Sequence, residues 1–164
     1  MKIKELQKKI TCLEAKLAEV KEMAEAMKKR ADGGVFKPEY EEDYWFILGW
    51  GEVYESQWKN HLGDLRRCEI GNCFPTEQAA VDAVRVLKLI RRAREAQDGF
   101  VPDWEDFEQN KYQVYFDSGE IHVANLHTAN MAPIFGYWED ESVCEQFIRD
   151  NHDELIWFFT EYRR

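Results

Sequence analysis

Arg85, Lys88 and Arg92 follow one another at spacings of three and four in the run VDAVRVLKLIRRAREA, with Arg91 and Arg94 beside them. On a helix those spacings put the three cations on one face. Guanidinium groups fixed in that way hold a phosphate by paired, charge-assisted hydrogen bonds. The same cations would equally serve as ion-pair partners for the acidic stretch 103–108. A second group consists of rings and amides: Trp45, Trp50, Tyr54, Trp58, Asn60, Asn72, Tyr115, Asn125, His127, Asn130 and Trp138. A flat apolar ring beside an amide suits a nucleobase or a protein anchor. Alternation along a strand turns about half of such rings inward, so core formation competes for them. Arg85, Lys88, Arg92, Trp45, Trp50, Trp58 and Asn72 are the candidate ligand-binding residues.

No other group of residues has the spacing of a recognised chemistry. The cysteines at 12, 68, 73 and 144 and the histidines at 61, 122, 127 and 152 form no zinc pattern. Cys73 beside Asn72 lacks the local signature of a nucleophile and reads as a packed thiol. Acid pairs such as Asp117/Glu120 and Asp103/Glu105 are expected by chance in a chain with 32 Asp and Glu. There is no phosphate-cradling lysine loop, no dinucleotide fingerprint and no HExxH pair. The expectation is a protein that is not an enzyme and uses no cofactor or metal.

The elements that must position these residues are legible in part. Ile3, Leu6, Ile10, Leu13, Leu17, Val20, Ala24 and Met27 alternate three and four apart, an a/d seam on an unbroken helix over residues 1–32 that Asp32-Gly33-Gly34 ends. So narrow a seam needs a partner. A second copy of the chain is the expected one, with Ile3, Leu6, Ile10, Leu13, Leu17, Val20 and Met27 as oligomerisation residues; the alternative is that the helix folds back onto the body. Residues 33–43 are a linker, and an α+β body fills 44–164.

Within the body, YWFILGWGEVYESQW predicts two strands around Gly49-Trp50-Gly51. KNHLGDLRRC reads as a loop, and CEIGNCF as a third strand with a glycine bulge. Thr76 then caps a helix from Glu77 to about Gln97, with Ala79, Ala80, Ala83, Val84, Leu87 and Ile90 on its buried face. After an acidic, aromatic connector the pattern begins again. Tyr112 onward aligns with Tyr44 onward at an offset of 68, and PIFGYWEDESVCEQFI mirrors the strand-to-helix junction at an offset of 64, with Asp140 on the cap Thr76. The fold class expected is α+β: a coiled-coil helix, then two tandem βββα units over 44–98 and 112–164, either an internal repeat or a recurrence without shared ancestry.

Charge narrows the partners. Residues 1–32 carry nine Lys and Arg against six Asp and Glu, so the chain's net −10 leaves −13 on residues 33–164. A body of that sign repels nucleic acid, so direct nucleic-acid binding is not expected. It suits a basic protein partner, or simply solubility. No apolar run is long enough for a membrane span, and MKIKELQKK lacks the apolar centre of a secretory signal. Cytoplasmic retention is the expectation.

YWFI…GEVY (44–54), the junction GNCFPTEQAA (71–80) and the second copy beginning YQVYFDSGEI resemble a loose family of small acidic proteins encoded by bacteriophages and prophages. The resemblance covers about residues 44–125 and supplies no catalytic residues. It implies a viral accessory protein, a kind that commonly antagonises host defence in the bacterial cytoplasm. Two modes fit the residues: sequestration of a phosphate-bearing immune nucleotide, or an acidic, nucleic-acid-mimicking inhibitor of a host nuclease, in the manner of an anti-CRISPR protein. A structural role in phage assembly is a third.

Overall fold

The computed structural model describes residues 36–126 and 133–163, together with Lys16. The expected coiled-coil seam and two of the candidate polar residues, His127 and Asn130, lie outside the described residues. The chain divides into two compact units, Met1–Ala80 and Val81–Arg164, and the division falls just inside the long central helix. The architecture is α+β, with two separate two-stranded antiparallel sheets.

In the first unit, β1 (Asp43–Ile47) pairs with β2 (Val53–Gln57) in a register that sets Tyr44 opposite Ser56 and Phe46 opposite Tyr54. The three-residue tip Gly49-Trp50-Gly51 closes because Gly51 (φ 91°) takes a left-handed conformation while its N–H donates to the Leu48 carbonyl at 2.8 Å. Alternation then turns Tyr44 and Phe46 into a small core with Trp58 and Cys73. The expected loop after Trp58 is instead a helix, α1 (Leu62–Glu69). Asp64 starts it by accepting hydrogen bonds from the N–H groups of Lys59 and His61, both at 3.1 Å.

Nor is CEIGNCF a strand. Cys68 and Glu69 close α1, and Gly71 (φ 75°) ends it in a Schellman turn: Asn72 N–H donates to the Arg67 carbonyl at 2.7 Å and Gly71 N–H to that of Cys68 at 3.0 Å. Only Phe74 remains to pair with the sheet, through two reciprocal hydrogen bonds to Trp45 of 2.8 and 2.9 Å. In the second unit the expected third strand is likewise one bridge, Trp138 to Tyr112, with both bonds at 2.8 Å. In each expected βββα unit the third strand is therefore a single bridging residue.

The long helix α2 (Glu77–Ala96) contains no Gly or Pro and is capped by Thr76, whose Oγ1 accepts from Ala79 N–H at 3.2 Å. Asp98 (φ 47°) and Gly99 (φ 78°) end it. Its buried face matches the expected one in part, with Ile90 packed against the larger core and Ala83 and Val84 half-buried. Ala79 and Ala80 are buried in the first unit, but in the second the stripe is Val86, Leu89 and Ala93, and Leu87 is 58% exposed.

The rest of the second unit packs around that stripe. The connector after Gly99 folds about Lys111, whose buried Nζ donates to the carbonyls of Asp106 (2.7 Å) and Gln109 (2.9 Å). β3 (Tyr112–Asp117) and β4 (Glu120–Asn125) are joined by Ser118 and Gly119, both at positive φ, the two-residue turn that matches strand twist. Asp140 caps α3 (Glu141–Asp150), accepting from Ser142 N–H at 2.7 Å. The chain breaks at Asn151, resumes as α4 (His152–Trp157), and ends in one π-helical turn, Phe158–Tyr162. Val114, Phe135, Trp138, Cys144, Phe147, Leu155 and Phe158 complete the larger core. No helix among the described residues is long and apolar enough to cross a membrane.

Candidate ligand-binding groove

The candidate residues fall into two groups, one in each unit. Arg85, Lys88 and Arg92 belong to the second, and Trp45, Trp50, Trp58 and Asn72 to the first.

Among the rings, Trp58 is buried in the first core and donates its indole N–H to Asn60 Oδ1 at 2.9 Å. Trp45 is half-buried beside the Phe74 bridge. Trp50, at the hairpin tip, is 72% exposed. Asn72 spends its amide on the edge of β1, accepting from Ile47 N–H at 2.8 Å and donating to the Ile47 carbonyl at 2.7 Å. It holds the Schellman turn to the hairpin.

The cations divide by what already engages them. Arg85 Nε pairs with Glu154 of α4, and its guanidinium lies 3.8 Å above the Trp157 ring. That is a docking contact between α2 and α4. Arg91 pairs with Glu95 one turn on, at 2.8 Å. Neither takes a partner from the connector; there the Asp103 and Asp106 carboxylates accept from the backbone N–H groups of Glu105, Glu108 and Gln109. Lys88 and Arg92, one turn apart and exposed, have no hydrogen bond or ion pair among the described residues.

Arg92 borders a groove of about 610 Å³ between α2 and α3. Arg92, Glu95 and Ala96 form one wall. Gln146, Arg149 and Asn151 belong to the other, and the buried Phe147 supplies apolar surface. Arg149 is braced by Glu145 at 3.3 Å and by Gln146 at 3.0 Å. Asn151 is buried, and its Nδ2 donates to the Phe147 carbonyl at 2.9 Å while its Oδ1, itself buried, has no hydrogen-bond partner among the described residues. The groove thus offers one unengaged guanidinium, one braced guanidinium and the apolar surface of Phe147, beside the carboxylates of Glu95 and Asp150.

Sequence reasoning selected Arg92 but missed Gln146, Arg149 and Asn151. Arg149 follows Glu145 at helical spacing in a second amphipathic helix, which is the one signal that marks it. Asn151 gives none, because its place depends on the break between α3 and α4. No group of three or more His, Cys, Asp or Glu side chains among the described residues is placed to hold a metal ion. The Cys144 thiol, buried against the core, is pushed up to about 12, which leaves it protonated and inert at neutral pH. No family model, curated protein or solved structure matches the chain. The groove is therefore read from its own chemistry.

Proposed function

We propose that the chain is a non-enzymatic binding protein that sequesters a small phosphate-bearing ligand in the groove between α2 and α3. The observation that supports this reading is Arg92: an exposed guanidinium with no partner among the described residues, on the wall of a groove floored by Phe147. In a protein of net charge −10 an unengaged cation beside an apolar floor is available for an anion that carries a ring. Lys88, one turn earlier on α2 and outside the groove lining, is a second cation with no partner among the described residues. The resemblance to phage accessory proteins supports a nucleotide immune signal of the bacterial cytoplasm as the ligand. Self-association through residues 1–32 would multiply the sites on each assembly; light scattering on the chain beginning at Gly34 tests it, since retention of the full-length mass would remove that helix as the assembly device.

A thermal melt against a panel of cyclic and linear nucleotides tests the ligand. A nucleotide at about 100 times its dissociation constant adds roughly 2.7 kcal/mol, a rise of several degrees. Arg92→Glu is expected to erase that rise while leaving the unliganded melt in place. Arg85→Glu should instead lower the unliganded melt by breaking the Glu154 and Trp157 contacts. A panel in which no nucleotide shifts the melt would reject the reading.

A second reading, the acidic protein inhibitor, is supported by the connector. Val101 and Phe107 are 78% and 67% exposed among Asp103, Glu105, Asp106 and Glu108, on a segment that Lys111 braces. A basic host protein bound there should be captured at low salt and lost steeply at moderate salt. Salt-independent capture would point to an apolar contact instead.

A further inference from the structure

Cys68 and Cys73 stand five residues apart, on opposite sides of the Schellman turn. The turn's two hydrogen bonds, Asn72 to Arg67 and Gly71 to Cys68, fold the chain back on the last turn of α1. Cys73 thereby enters the small core against which Cys68 packs. The Cys68 thiol donates to the Phe36 carbonyl at 4.0 Å. Cys73 is buried, whereas Cys68 is half-buried and within reach of small solutes. Both are free thiols. Cys144 lies buried in the other core.

We propose that Cys68 and Cys73 are a peroxide-reactive thiol pair that closes to an intrachain disulfide. The Cys68 thiolate attacks one oxygen of hydrogen peroxide, an S–O bond forms, the O–O bond breaks, and hydroxide leaves to be protonated to water. The sulfenic acid on Cys68 is then attacked by the Cys73 sulfur. The S–S bond forms, the S–O bond breaks, and a second water leaves with the Cys73 proton. Two thiols lose two electrons in all, and one peroxide is reduced to two waters. The order follows from position, because burial pushes the Cys73 thiol up and leaves Cys68 as the more accessible sulfur. The product bond spans the turn that carries Asn72, and so fixes the clamp that Asn72 places on Ile47.

Trypsin leaves both cysteines in one peptide, because residues 68–85 follow Arg67, end at Arg85 and contain no other Lys or Arg. The folded full-length protein is treated with hydrogen peroxide, alkylated under denaturing conditions and digested. That peptide is expected to be two hydrogens lighter and closed to alkylation. In Cys73→Ser the sulfenic acid on Cys68 has no resolving thiol and is expected to take up dimedone. If peroxide-treated wild type yields residues 68–85 carrying two alkyl groups, or joined to Cys12, to Cys144 or to a second chain, the pair is not a peroxide-reactive unit. The wild-type measurement stands even if the serine variant fails to fold.

Discussion

Asp64 is 4% exposed and accepts hydrogen bonds from Tyr44 Oη at 2.8 Å and from the backbone N–H groups of Lys59 and His61, with Arg67 at 3.7 Å. Burial raises its pKa, but the bonds from Lys59, Tyr44 and His61 outweigh that and hold it below the ordinary 3.8. A depressed carboxylate stabilises the fold fully above its unfolded value and loses that contribution as pH falls through the lower folded one. Asp64→Ala is expected to cost on the order of 3 kcal/mol at neutral pH, because the buried Tyr44 hydroxyl and two part-buried N–H groups lose their acceptor. Its acid-unfolding profile should also be flatter below about pH 4 than wild type; equal pH dependence in the two melts would sink the assignment. None of this is legible in NHLGDLRRC, where Gly63 and scattered polar residues read as a loop and the Tyr44 partner lies twenty residues upstream. Arg85 shows the same limit, since its periodic neighbours mark a face while Glu154 and Trp157, which engage it, come from the far end of the chain.

Elements were more legible than the contacts between them. Both hairpins follow from alternation and from glycines placed where the turns need positive φ. The starts of α2 and α3 follow from Thr76 and Asp140, and Thr76→Ala is expected to lower stability by about 1 kcal/mol in denaturant titration. The third strands were over-read because CEIGNCF is apolar and β-branched enough for a strand, while its first two residues finish α1 and Gly71 reverses the chain. The buried phase of α2 is legible only in part, since Ile90 packs against the larger core and Leu87 does not. Apolar residues occur both at Val84, Leu87 and Ile90 and at Val86, Leu89 and Ala93, so a spacing of three and four admits two stripes. The early alanines favour the first, and the larger core selects the second. Leu89, fully buried, should cost about 2–5 kcal/mol as Leu89→Ala. Leu87→Ala should stay within about 0.5 kcal/mol of wild type. Reversed magnitudes would restore the first stripe.

At the scale of the molecule, the two units rest on cores of unequal size. Among the described residues the first is built on Tyr44, Phe46, Trp58 and Cys73. The second has ten buried members, with Leu89, Trp138, Phe147, Leu155 and Phe158 among them. Because apolar burial is the main favourable term in folding, local opening should be easiest where the least of it is buried. The hairpin β1–β2 is also a two-stranded sheet, which has little stability of its own. Native-state hydrogen exchange across a urea series is therefore expected to release the amides of β1 and β2 at lower urea than those around Leu89, Ala93 and Phe147. Added salt should slow both sets, because screening relieves the self-repulsion of a body carrying −13 over residues 33–164. Identical urea dependence in the two sets would mean that the units open together, and α2, unbroken across the division at Ala80, would then be the element that couples them.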